Sequence, residues 1–162
     1  MAKAGVQFSK KDEWCTPKEI VDYFGPFDYD PATTEEQTRR LGIPYYDTIG
    51  TNGLARDWSQ FPRIWINPPF TRKFEFLRKA ANTVEWSNAR IFFLLPIDSM
   101  VTKRFHDIMG GVDYTLHLPE ARIKFEDADG GGSSPAFGSV VLELGAWDGQ
   151  IITHWRLNEN KS

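Results

Sequence analysis

A chain of 162 residues, 41% of them apolar, is long enough for one domain with a core of its own. Its single cysteine, Cys15, excludes an internal disulfide; no Cys/His cluster suggests zinc, no apolar run is long enough to span a membrane, and the opening MAKAGVQFSKK lacks a secretory apolar block. The expectation is a metal-free protein of the cytoplasm, whose net charge of −3 leaves any nucleic-acid binding to local basic clusters.

Residues 1–11 are polar and basic and read as a flexible N-terminal arm before a single domain over 12–162. Thr16-Pro17-Lys18-Glu19 reads as a helix start, with Thr16 as the cap, Pro17 at the first helical position and Glu19 closing a capping box. The helix should stop at Gly25-Pro26. Phe27-Asp28-Tyr29-Asp30 is a short strand in which Asp28 reads as a structural acid. Thr33-Thr34-Glu35-Glu36 opens a second helix. Residues 38–58 do not fix the next strands.

Ile64-Trp65-Ile66 reads as a short buried strand, with Asn67 at its end. Pro68 and Pro69 cannot join a sheet ladder and stiffen the turn that follows, and Pro68 biases Asn67 toward an extended conformation. The result is a rigid loop at the carboxyl end of a strand, the edge of an open α/β sheet where ligands bind. It presents one amide, one fixed carbonyl and the aromatic face of Phe70.

Phe74, Leu77, Ala81 and Val84 then recur at helical spacing, with Arg72, Lys73, Arg78 and Lys79 outside that face. Such a basic cluster is either a solvated helix face or a surface for phosphates. Arg90 to Pro96 is continuously apolar after its first residue, as in a strand covered on both faces. Asp98 or Ser99 caps a further helix ending at Gly110-Gly111. Pro96 and Asp98 fall on the same sheet edge as Asn67. Tyr114 to Leu118, Ala121 to Phe125, Ser139 to Leu144 and Ile151 to Trp155 read as strands, and Gly130 to Ser134 as a flexible loop. The pattern predicts an α/β fold of three layers with a mixed sheet and a C-terminal antiparallel hairpin.

The Asn67 turn suits one kind of chemistry. An amide oxygen and a backbone carbonyl both accept from an exocyclic amino group, and Phe70 can stack on the ring that carries it. The adenine N6 lone pair is delocalised into its ring. Two acceptors on the N6 hydrogens favour a tetrahedral nitrogen whose lone pair is free to attack an electrophilic methyl. A plain Asn-Pro-Pro turn is the alternative.

Asn67-Pro68-Pro69-Phe70 resembles the motif of amino-group DNA methyltransferases, Asp/Asn/Ser-Pro-Pro-aromatic. Six ordered pieces resemble the small phage-type DNA N6-adenine methyltransferase family: Trp14 to Pro17, Phe27 to Ala32, Gly53-Leu54 with Asp57-Trp58, the Asn67 loop, Arg122 to Phe125, and Ser134 to Phe137. The resemblance implies a Rossmann-like S-adenosylmethionine-dependent methyltransferase fold. It also implies methyl transfer from that cofactor to adenine N6 in double-stranded DNA, with the target base flipped out of the helix.

Asn67, Pro68, Pro69 and Phe70 are then catalytic. Trp14, Thr16, Asp30, Pro31, Ala32, Asp57 and Asn67 line the cofactor site, Asp30 pairing with the cofactor's ammonium group or else serving as a loop cap. Arg72, Lys73, Arg122, Lys124 and Ser134 face DNA, Arg122 at a phosphate or base or else in a surface ion pair. Asp47 is the candidate for the cofactor's ribose. So short a chain leaves little for a recognition domain, so sequence preference is expected to be short or relaxed, or shared across a homo-oligomer. The rival readings are a DNA glycosylase, a non-catalytic DNA-binding homologue, and an amino-group methyltransferase acting on RNA or protein.

Overall fold

The computed structural model describes residues 15–126, 132–133, 137–145 and 151–155. The predicted N-terminal arm, Trp14 and Ser134 lie outside the described residues. The chain order is α1 (Lys18–Phe24), β1 (Tyr29–Asp30), α2 (Glu35–Leu41), β2 (Tyr45–Tyr46), β3 (Arg63–Ile66), α3 (Lys73–Glu85), β4 (Arg90–Pro96), α4 (Lys103–Met109), β5 (Tyr114–Pro119), β6 (Phe125–Glu126), β7 (Gly132–Ser133), β8 (Ser139–Leu144) and β9 (Ile151–Trp155). Seven strands form one mixed sheet in the order β2-β1-β3-β4-β8-β5-β9, and β6 and β7 form a separate antiparallel pair.

The sheet is buried on both sides, which explains its unbroken apolar strands. Ile64, Ile66, Ile91, Phe93 and Leu95 turn to a core closed by Phe76, Leu77 and Ala80 of α3 and by Phe105 and Ile108 of α4. The alternate residues Trp65, Phe92 and Leu94 turn to the other core, with Ile20, Val21 and Phe24 of α1 and Leu41 of α2. This is the expected three-layer α/β architecture. On α3 the buried stripe is Phe76, Leu77, Ala80 and Ala81, whereas Phe74 and Val84 are only partly covered.

β1, β2, β3 and β4 are parallel. From β1 the chain steps outward to β2 and then returns to the other side of β1 to lay down β3 and β4. The strand order therefore reverses between β1 and β3, and the carboxyl ends of strands at such a reversal are where open α/β sheets bind ligands. β8 runs antiparallel between β4 and β5, with Pro96 opposite Ser139 and Ile91 opposite Leu144.

Several local expectations are corrected. The expected closing hairpin is instead the insertion of β8, because β9 pairs with β5, in parallel. Within the predicted strand from Ala121 to Phe125, only Phe125 is in a strand, and it pairs with β7. Gly132 and Ser133, read as loop, supply that partner. Thr102, not Asp98 or Ser99, caps α4, its hydroxyl accepting from Phe105 N at 3.2 Å, because residues 97–101 form a 3-10 turn first. α2 is capped by Thr34, which accepts from Gln37 N, and is closed by Gly42 in the left-handed region. Thr16 does not cap α1: Pro17 holds the cap position and its ring has no polar atom to offer.

Candidate active site

Asn67 follows the last residue of β3, and Asp30 is the last residue of β1, the strand beside it. The reversal of strand order thus brings these two polar residues to the same edge of the sheet. Asn67 is half-buried, and its Nδ2 donates to Thr16 Oγ1 at 3.0 Å. Pro68 is buried and Phe70 is exposed at the rim. Lys73, one turn further on, places its ammonium 4.0 Å from the Phe70 ring centroid and donates to the Phe70 carbonyl.

Asn67, Pro68 and Phe70 line a cavity of about 30 Å³ together with Lys73, Leu94, Pro96, Phe125, Phe137 and Ser139. Phe137 stacks on Phe70, with centroids 5.7 Å apart. Leu94, Phe125 and Ser139 were not anticipated as lining residues; Phe125 and Phe137 end two of the motifs that carried the resemblance. Asp98 is not among the lining residues. A much larger hollow of about 630 Å³ lies between the carboxyl ends of α3 and α4, lined by Glu85, Asp113 and Gly145. It sits at the opposite edge of the sheet from Asn67.

Asp30 is 3% exposed. Its Oδ1 accepts from Ala32 N at 3.0 Å, and no cation pairs with it among the described residues. Burial pushes its pKa up to about 7, against the smaller opposing pull of the Ala32 N–H. A buried carboxylate without a cation partner is costly, and it fits a site that receives a positive charge from outside. The loop beyond it is held close. A Cβ on Gly53 would meet the Pro31 carbonyl oxygen at 2.0 Å, and the Gly53 carbonyl accepts from Trp58 Nε1 at 2.8 Å. Pro31, Ala32 and Gly53 therefore form a tight floor around Asp30.

Other expected residues have different surroundings. Asp57 is exposed and caps a 3-10 turn, accepting from Ser59 N and Oγ at 2.9 and 2.6 Å; those bonds hold its pKa low. Asp47 is buried, and its carboxylate accepts from Tyr29 Oη at 2.5 Å and from Arg56. It stitches β1 to the loop after β2. Asp28 is structural as expected, its Oδ2 accepting from Arg63 N at 3.0 Å. Arg72 pairs with Glu75 at 2.7 Å on the surface. Arg122 and Lys124 are exposed, and Arg122 lines a second hollow of about 200 Å³ that shares Ser139 with the Asn67 cavity. Arg104 lies over Phe74, 4.8 Å from its centroid, and adds a basic residue near Lys73.

A family model described as DNA N-6-adenine-methyltransferase (Dam) matches residues 3–151. The chain belongs to the DNA N-6-adenine-methyltransferase (Dam) family. Two similar relatives carry the same description. The one from Escherichia phage T1 is 36% identical over 93 residues, 55% of this chain and 37% of that protein. The one from Haemophilus phage HP1 is 28% identical over 130 residues, 77% of this chain and 72% of that protein. The chain thus spans well under half the length of the T1 relative. A solved structure from Listeria monocytogenes, described as a class I S-adenosylmethionine-dependent methyltransferase, is 14% identical with a TM-score of 0.44, over 78% of this chain and 46% of that one. The Dam-family match includes all six motifs that carried the sequence resemblance. No helix among the described residues is long and apolar enough to cross a membrane.

Proposed function

We propose that this Dam-family chain transfers a methyl group from S-adenosylmethionine to N6 of adenine in double-stranded DNA. The observation that carries the reading is the placement of Asn67-Pro68-Pro69-Phe70 at the end of β3, beside the buried carboxylate that ends β1. S-adenosylmethionine, when bound, supplies an electrophilic methyl on a sulfonium and a cationic ammonium group. Asp30 would hold that ammonium, a role supported by its burial without a cation partner among the described residues, with Pro31, Ala32 and the Gly53 loop shaping the floor beneath. Trp14 and Asp57 remain candidates for the rest of the cofactor site.

The chain's own contribution to chemistry is positioning. Asn67 Oδ1 and the Pro68 carbonyl accept the two N6 hydrogens and draw the nitrogen toward tetrahedral geometry. Phe70 stacks on the purine. When bound, S-adenosylmethionine would give its methyl to that nitrogen and leave as the neutral thioether; the chain's residues hold N6 in place, and its surplus proton would pass to water because an amide oxygen is too weak a base to keep it. Lys73, Arg122 and Lys124 supply phosphate contacts, with Arg72 and Ser134 as further candidates. The target base is extruded from the duplex, since N6 is paired within it. Recognition is short or relaxed, or shared in a homo-oligomer, in the host cytoplasm if the protein is phage-encoded.

The experiment is incubation with labelled S-adenosylmethionine and adenine-containing duplex DNA, followed by mass spectrometry of the nucleosides. N6-methyladenine is the expected product. Free base released without cofactor, or label on protein or RNA alone, would overturn the reading.

A further inference from the structure

Thr16 occupies a helix-start sequence, yet its hydroxyl closes no helical turn. The residue is 5% exposed, and its Oγ1 accepts from Asn67 Nδ2 at 3.0 Å. Its backbone is held as well. Arg40 Nη2 donates to the Thr16 carbonyl, while Arg40 Nε and Nη2 donate to Gln37 Oε1 at 2.9 and 2.7 Å. A chain of hydrogen bonds therefore runs from α2 through Thr16 to the Asn67 amide.

An asparagine in this role faces a difficulty that an aspartate avoids. Its amide has one accepting end and one donating end. Turned the wrong way, it would oppose N–H to N–H and repel the amine it must grip. The amide is planar, so an acceptor that engages Nδ2 also fixes the direction of Oδ1. Hydrogen bonding at the nitrogen further draws electron density to the oxygen, which makes it a better acceptor. We propose that Thr16 is the positioning residue for Asn67, holding the amide so that its oxygen is the end offered to the target amine. The inference rests on the methyl-transfer reading and extends it to a residue that does not touch the reacting atoms.

Thr16→Val removes the hydroxyl at nearly constant shape, Thr16→Ser keeps it, and Thr16→Ala serves as a second deletion should valine not be accommodated. In the full chain, Thr16→Val is expected to lower kcat by about 10- to 100-fold. The KM for S-adenosylmethionine should stay within about twofold, as expected for an interaction spent on the transition state rather than on binding. Thr16→Ser should recover most of the rate. An unchanged kcat, or a loss confined to the cofactor's KM, overturns the inference.

A second readout needs no turnover. The Asn67 side-chain amide resonances of the unliganded protein, assigned by their disappearance in Asn67→Asp, should shift in Thr16→Val and stay in place in Thr16→Ser. Resonances that do not move in Thr16→Val overturn the positioning role, whatever the protein does to DNA. Resonances that move while the wild type leaves DNA unmethylated overturn the proposed function instead.

Discussion

The ring of Phe137 lies against that of Phe70, with planes inclined by 26° and centroids 5.7 Å apart. The cavity they border, about 30 Å³, has room for a water molecule or two and not for a purine. For a base to lie against Asn67, as the proposed function requires, this cavity must widen, and parting of the two rings is the expected route. The pair contributes about 0.5–1.5 kcal/mol beyond area burial, a factor of roughly two to ten in an opening equilibrium. With 2-aminopurine at the target position, Phe137→Ala is expected to speed the fluorescence rise that reports base insertion by a few-fold. A rise as slow as in the wild type would show that this pair is not what keeps the cavity shut.

Removing the amide should separate chemistry from binding. Asn67→Ala is expected to lower turnover by about a hundredfold or more, the range for a lost transition-state hydrogen bond. Cofactor affinity, measured by calorimetry, should fall much less. Near-normal turnover in this variant would reject the role given to Asn67.

The role proposed for Asp30 ties cofactor binding to pH. Its pKa in the folded chain is about 7, raised by burial, whereas the unfolded chain releases this proton near the ordinary value of 3.8. The raised value means that the stability it contributes is fully present below that ordinary value and is lost as pH rises toward 7. Melting of the unliganded protein should therefore show this loss between those limits, and Asp30→Asn should melt higher than wild type at pH 8. The same variant should lose cofactor affinity. In the wild type, affinity should weaken as pH falls below 7, because the ammonium group must displace the proton. Melting curves and titrations across this range decide both points; an Asp30→Asn protein that binds as tightly as wild type would remove Asp30 from the site.

Overall acidity makes local cations measurable. Arg122 is exposed beside the hollow next to the Asn67 cavity. Arg122→Ala should weaken binding to different duplexes alike and reduce the slope of log affinity against log salt by about one. A change in which sites are methylated, with the salt slope intact, would instead make Arg122 a reader of bases.

The parts of this protein that were legible in its sequence are those where local chemistry and long-range packing agree. Ile64-Trp65-Ile66 reads as a buried strand and Asn67-Pro68-Pro69 as a stiff exit from it, so the loop and its sheet edge were readable together. That Asp30 ends a short strand was readable from the pattern, whereas its place at the cofactor comes from the family resemblance. The Thr16–Asn67 contact was not readable, because Thr-Pro-Lys-Glu is a good capping sequence and the two residues are 51 positions apart. Thr102 was missed as the cap of α4 because Asp98 and Ser99 offer equally good local chemistry to an intervening 3-10 turn. Asp47 looked available until Tyr29 and Arg56 were seen to occupy it. The place of β8 depends on pairing across the whole sheet, to which no window of sequence is sensitive.

That strand has an effect of its own. Because β8 runs against β4, it begins at Ser139, where β4 ends at Pro96. The chain entering β8 therefore arrives beside the Asn67 cavity, which Phe137 and Ser139 help to line, and Gly138 already joins the sheet edge by accepting from Ile97 N at 2.9 Å. Under the proposed function, changes in the residues that lead into Gly138 should alter which DNA is accepted while the pairing of β4 with β8 is kept, which makes this junction a port for redesign.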